Sequence, residues 1–358
     1  MNDRFNPEML QLARQFRGLS QIALAKATGI TQGFLSKIEN GLIEPGDDTL
    51  NTLSATLSFP QSYFFNQDRV YGLPISVHAY RKKASVPQKT LDAIQAEMNL
   101  RVIHYRKLLR SVDIAQELEL PYLDVEQYGG DTEEIASLVR RTWMMPNGPI
   151  KNLIDYVERA GVLVFICDFP DGKVDGVTMA VKGMPPCIFL SKNQPSDRMR
   201  FSLAHELGHL VMHRQPRPSM EDEANTFAAA LLMPRKDIYY DLKNSSIKSL
   251  AALKPVWKVS IAALLVRATT LDAITKTQGS YMWRQLSSMG YRLREPSELD
   301  FPHEKAVLTT EILELHMQEL GYTHEEMMST LGIVASDYRD LYRVAPQEQQ
   351  KAKLRIVK

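Results

Sequence analysis

The sequence predicts a mainly α-helical chain interrupted once by a small antiparallel sheet. Three observations predict it. Apolar residues recur at spacings of three and four over most of the length. That rhythm gives way only between Gly161 and Leu190, where short β-branched runs are bounded by glycine. The 358 residues are 44% hydrophobic and 24% charged, the composition of ordinary globular domains. A chain of this length divides into more than one core, and we delimit four segments. They are an all-α segment 1–66, a linker and helical connector 67–130, an α+β segment 131–245 and a helical C-terminal region 246–358.

From Pro7 to Phe65 the three-and-four spacing is broken by turn residues into several short helices. Asn66 to Gln88 loses the rhythm and contains Gly72, Pro74 and Pro87, so a linker begins there. Leu91 to Leu120 reads as helix, interrupted before Pro121, and Asp131 to Arg141 and Ile150 to Ala160 as two more, each behind a capping residue. Gly161–Ile166, Gly176–Val181 and Cys187–Leu190 are the strands; Cys187–Leu190 is the candidate edge for an extended peptide. Helical period returns in Arg198–Met212 and in Glu221–Leu232, which Pro234 stops. Helices then cover Leu250–Leu271, a partly irregular stretch runs to Pro302, and Glu304–Leu320 and Thr323–Tyr342 are helical again.

A formal net charge of +1 excludes a chain that holds nucleic acid by bulk charge alone. Basic residues nevertheless concentrate between His78 and Arg110 (Arg81, Lys82, Lys83, Lys89, Arg101, Arg106, Lys107 and Arg110), as a solvated helix face or a phosphate or partner surface. The two cysteines, Cys167 and Cys187, fit neither a zinc knuckle nor a disulfide framework and read as buried thiols. With no apolar run behind Met1 and no membrane-spanning stretch, the expectation is a cytoplasmic protein without a membrane partner.

The segment Phe201 to His213 holds H-E-x-x-H inside an apolar helix. Spacing of four puts His205 and His209 on one face, one turn apart, where both can bind a tetrahedral Zn²⁺. Glu206, beside the first histidine, is the candidate base. Burying three such groups without partners would be costly, and a metal offsets that cost. The third ligand comes from the start of the next helix: Glu221, with Asn225 one turn on to orient a ligating histidine, and Glu223 as the fallback. His213 lies about 12 Å along the axis from His205, too far to share the ion, and reads as a surface residue or a substrate-side donor. Tyr239 and Tyr240 are packing residues or donors to an oxyanion.

Leu19 to Gly41 reads as two short helices about a glycine turn. Ser20 caps the first and Thr31 the second, leaving Gln32, Ser36 and Lys37 to touch bases in a major groove of double-stranded DNA and Gln21 to touch a phosphate. Residues 1–70 carry six basic against seven acidic groups, so a protein-docking helix-turn-helix stays open beside the DNA-binding one. The pattern recurs near the C-terminus. Thr323 precedes Gly332 by nine residues as Ser20 precedes Gly29, but Asp337 and Asp340 would repel phosphate, which favours packing or dimerisation. Leu250–Ala268, around Trp257, is a further helical unit of this kind.

Arg198–His209 followed by Glu221–Pro234 resembles the ImmA/IrrE metallopeptidases, and Pro7–Phe65 resembles the Xre repressor domains. The resemblance implies a zincin-like, gluzincin-type zinc endopeptidase that cleaves an Xre-type repressor and derepresses genes, in stress response or control of mobile elements. It also implies a helix-turn-helix-like region after the peptidase part, operator DNA as a partner and a homodimer on a two-fold site. The competing reading is a non-proteolytic repressor or antitoxin that uses the metal domain as sensor or scaffold.

Overall fold

A computed structural model describes residues 4–73 and 86–342; Arg81, Lys82 and Lys83 of the basic stretch lie outside them. The described residues fall into two compact units, one within 1–71, 92–111 and 312–358, the other within 72–91 and 112–311. Mainly α-helical architecture with one small sheet is what the sequence predicts, and it is what forms.

The chain begins with α1 (Pro7–Phe16), α2 (Gln21–Thr28), α3 (Gln32–Glu39) and α4 (Asp47–Leu57), then a 3-10 turn at Gln61–Phe65. Asn6, Ser20 and Thr31 each accept a backbone N–H of the first turn they precede, so three of these helices start on a side-chain cap. Next comes α5 (Gln88–Leu108), which stops well short of Leu120. Three of its basic residues are spent internally in the first unit: Arg101 on Glu97 and Leu341 O, Arg106 on Asp68, Lys107 on Thr330 O.

The second unit follows with α6 (Thr132–Thr142), α7 (Leu153–Arg159), β1 (Leu163–Cys167), β2 (Gly176–Met179) and β3 (Cys187–Ser191). Strand order is β1-β3-β2, with β1 parallel to β3 (Leu163 opposite Cys187) and β2 antiparallel to it (Val177 opposite Phe189). The sheet is therefore mixed rather than wholly antiparallel. β3 is its centre, with both rows of backbone groups spent, and cannot be the peptide-holding edge. Every β3 residue is buried, as suits an interior strand covered on both faces. Cys167 and Cys187 are both buried.

The rest of the unit is helical: α8 (Ser196–Met212), α9 (Met220–Leu232), α10 (Arg235–Leu242), α11 (Ile247–Trp257), α12 (Ile261–Thr270) and α13 (Lys276–Ser288). The run Leu250–Leu271 forms α11 and α12, which meet at 107° after Lys258 takes a left-handed φ of 53°, a helix-turn-helix-like pair around Trp257 as the sequence suggests. The partly irregular stretch before Pro302 contains α13, opened by a Thr275/Gln278 capping box. Trp257 is buried and donates to Asp241. Three helices follow, α14 (Leu308–Gln318), α15 (His324–Leu331) and α16 (Ala335–Tyr342), and from residue 312 on they belong to the first unit. Among the described residues no single helix is long and apolar enough to cross a bilayer.

Candidate metal centre and nucleic-acid interface

α8 is buried along almost its whole length, the polar residues included. Glu206 is 1% exposed, His209 5% and His205 6%. Such groups persist in an apolar helix only where each polar atom has a destination. α9 supplies much of it. Its C-terminal carbonyls are held by two guanidiniums, Arg140 on Leu231 O (2.7 Å) and Arg267 on Met233 O (2.9 Å), so the helix bearing the acidic residues is fixed at its far end.

His205, His209 and Glu221 each present a ligand atom within 4.8 Å of the others. The two Nε2 atoms are 3.0 Å apart, and the Glu221 carboxylate lies 3.7 Å from His205 Nε2 and 3.4 Å from His209 Nε2. The opposite ring edges fix the tautomers. His205 Nδ1 donates to Asn225 Oδ1 (3.0 Å), which leaves a lone pair on its Nε2. His209 Nδ1 is 2.9 Å from His213 Nδ1, and His213 Nε2 is 2.9 Å from Glu223 Oε2. With that carboxylate accepting from His213, the His213 ring passes its acceptor nitrogen to His209 and leaves the second Nε2 lone pair facing the first. Glu223 also accepts from Ser219 (2.8 Å) and is thereby occupied away from the cluster.

Burial lowers the His205 pKa despite its acidic neighbours. His209 is also penalised by burial, but the neighbouring carboxylates of Glu221, Glu206 and Glu223 outweigh that and raise it. The pocket thus keeps His205 a neutral electron-pair donor, while its carboxylates favour positive charge beside it. Glu206 makes the same demand: Thr178 Oγ1 donates to its Oε2 (2.7 Å), while its buried Oε1 has no hydrogen-bond partner. The close approach of β2 holds it there. A Cβ at Gly176 would lie 3.0 Å from Glu206 Cγ and 3.3 Å from Oε1, so any larger residue would push the carboxylate aside. Two imidazole nitrogens, a carboxylate and an adjacent unsatisfied carboxylate oxygen fit a divalent ion such as Zn²⁺.

His213 corrects the sequence expectation. Its side chain is 2% exposed and braces His209, so it is neither a surface residue nor a free donor. Eight residues of helix, about 12 Å, set it apart from His205, but His213 is also one turn beyond His209, the distance at which helical side chains meet. Thr178 and Gly176 lie on a strand remote in sequence and carry no motif of their own. Tyr240 is 79% exposed and Tyr239 packs under Arg235; neither has a recorded contact with the cluster.

In the first unit, α2 ends at Gly29 with φ +70° and Thr31 starts α3, while Leu24, Leu35 and Ile38 are buried between the helices. Thr31 spends its hydroxyl on the cap, Gln32 and Lys37 are exposed, and Ser36 is half-buried beside Asn40. Gln21 donates to Glu39 (2.7 Å) and accepts from Gln32 (3.1 Å), so it braces Gln32. Arg14 in turn grips Glu39 with two bonds of 2.6 and 2.9 Å. This hydrogen-bonded chain, which sequence reasoning missed, fixes the side chain that opens the exposed face of α3.

A histidine-histidine-glutamate cluster on an H-E-x-x-H helix, in one unit, and a capped helix-turn-helix in the other define a metallopeptidase-like domain joined to a DNA-binding-type domain. Residues 157–269 match the IrrE N-terminal-like domain, a peptidase family, and residues 10–60 match the helix-turn-helix family. These two matches support a likeness to the ImmA/IrrE family with an N-terminal Xre-type helix-turn-helix domain. Comparison with curated proteins gives no match.

Proposed function

We propose that the chain is a cytoplasmic zinc-dependent endopeptidase and transcriptional regulator that cleaves an Xre-family repressor and engages operator DNA. The observation that supports hydrolysis is the unsatisfied Glu206 Oε1 beside the convergent His205, His209 and Glu221 donors. Those three side chains would hold Zn²⁺ through the two Nε2 atoms and the carboxylate. Once bound, the ion polarises a carbonyl and lowers the pKa of water. Glu206, anchored at Oε2 by Thr178, uses Oε1 to take the proton of the attacking water and return it to the leaving amine. Asn225 and the His213–Glu223 pair keep the two ligand rings turned with Nε2 inward. With β3 central, the edge strand β2 beside Glu206 is the place for an extended substrate segment, held by main-chain hydrogen bonds. In the other unit Gln32, Ser36 and Lys37 are the groups offered to base edges.

The purified protein is expected to hold about one Zn²⁺ per chain and to clip a cognate Xre-type repressor. Glu206→Gln keeps the zinc and cuts at least ~100-fold more slowly. Equal cleavage rates for the two proteins would end the hydrolytic reading. Operator binding in a gel shift survives His205→Ala, because the DNA-binding groups belong to the other unit.

A further inference from the structure

A cavity of about 640 Å³ lies in the second unit, walled by α8, α9, α11, α12 and residues 291–295. That is the size of pockets that take small organic ligands. Phe201, Met233, Ala263, Val266 and Tyr291 give it apolar walls. None of His205, Glu206, His209 or Glu221 lines it, so it is not the space in which the proposed hydrolysis occurs. Asn225 does line it. That amide touches the ring edge of His205 opposite Nε2 with its Oδ1, and its Nδ2 has no recorded acceptor among the described residues. One side chain therefore has its acceptor on a candidate metal ligand and its donor end available to an occupant of the cavity.

The charges around the cavity select the occupant. Lys254, 1% exposed, is matched by Asp197 (2.6 Å) and Glu295 (2.7 Å). Arg198 pairs with Asp175, Arg294 with Asp300 and Arg267 with Glu133, each at 2.6 Å. Arg292 is the exception: its guanidinium stands over the Trp283 ring at 5.5 Å, with no carboxylate in ion-pair range among the described residues. An apolar interior with one unmatched cation at its rim is complementary to a molecule with an apolar body and a single negative end.

We propose that this cavity binds an apolar-bodied organic acid, its anionic end drawn by Arg292 and its body against Asn225, and that occupancy changes how firmly His205 is held. The binding site stands independently of the metal reading; the coupling to His205 rests on it.

The test titrates the full chain with anilinonaphthalene sulfonate, and with phenylnaphthylamine as the uncharged version of the same body. Expected are about one sulfonate dye per chain and binding roughly tenfold tighter than that of the neutral dye. Val266→Trp, which fills the cavity, and Arg292→Glu, a surface change that leaves the fold alone, should each weaken the sulfonate dye about tenfold or more. Circular dichroism checks that both variants keep their helices. Saturating dye should shift the Zn²⁺ dissociation constant about fivefold or more in the parent protein and leave it unmoved in Asn225→Ala. Equal affinity for the two dyes, or parent-like binding by Arg292→Glu, overturns the site. Tight dye binding with no shift in zinc affinity overturns the coupling. A chain that binds the dye as expected but no zinc sinks the peptidase reading and leaves the cavity assignment standing.

Discussion

Residues 20–39 and 323–342 follow one local plan. Ser20 and Thr323 each cap an eight-residue helix, each helix ends at a left-handed glycine (Gly29 at +70°, Gly332 at +75°), and a second eight-residue helix begins three residues later. The two then part. α3 keeps Gln32 and Lys37 on its exposed side, propped by the Arg14–Glu39–Gln21 chain. α16 buries Asp337, Tyr338 and Leu341, and Asp337 receives both terminal nitrogens of Arg17 at 2.7 and 2.6 Å. Caps, turn glycine and apolar spacing thus specify the helix pair but not the use of its second helix. Whether that helix meets DNA or protein is decided by the few polar residues on its outer side and by what lies opposite.

The strongest way to break the contrast is to remove the group opposite α16. Arg17 also donates to Leu57 O (2.6 Å) and Ser58 O (3.0 Å), and Asp337 is only 5% exposed. Arg17→Ala strands a buried carboxylate and should cost about 3–5 kcal/mol, read from urea unfolding. Arg17→Ala combined with Asp337→Leu should recover much of that, because no charge is then left alone. A single-variant loss below about 1 kcal/mol, the range of surface pairs, would show that α16 is not docked through this pair.

The same contrast explains what the sequence could and could not disclose. H-E-x-x-H in α8 is legible because burial makes its chemistry conspicuous: three ionisable groups in an apolar helix need partners, and periodicity says which face they share. Glu221 and Asn225 follow, since their spacing repeats the one-turn logic. His213 was misread because its distance was measured to His205 and not to His209. Thr178 and Gly176 were invisible because strand pairing is non-local, and the same non-locality hid the parallel β1–β3 pairing. Period-two runs and glycine bounds locate strands without giving their order or direction. Cys187–Leu190 did carry a clue, an uninterrupted apolar run, which belongs in the middle of a sheet. On α3 the polar residues sit where any solvated helix has polar residues, so pattern alone leaves DNA contact and bare surface alike.

Paired substitutions on the two second helices sharpen that point. Lys37→Ala should weaken operator binding by about 1–3 kcal/mol and relax selectivity at one base pair, if its amine reads a base edge as proposed. Arg339 on α16 is also exposed and basic, yet Arg339→Ala should leave affinity within about twofold, because its helix faces the protein interior. Gel shifts at fixed salt, with a second salt concentration to separate base from phosphate contacts, decide it. Equal losses for the two variants would mean that both second helices touch DNA and that the buried Asp337 does not set them apart.

The smallest effect tests the part of the plan the two helix pairs share. A Cβ at Gly29 would meet nothing within 4 Å, whereas one at Gly332 would touch Tyr63 at 3.8 Å, an ordinary contact. Space therefore does not distinguish them, and the left-handed φ should dominate. An alanine there is strained by about 1–2 kcal/mol, partly offset because alanine also restricts the unfolded chain. Gly29→Ala and Gly332→Ala should each cost about 1 kcal/mol in urea unfolding and agree to within about 0.5 kcal/mol. A much larger loss at Gly332 would mean that the turn bears packing against Tyr63 as well as chain reversal. The two helix pairs would then differ in their turns and not only in their second helices.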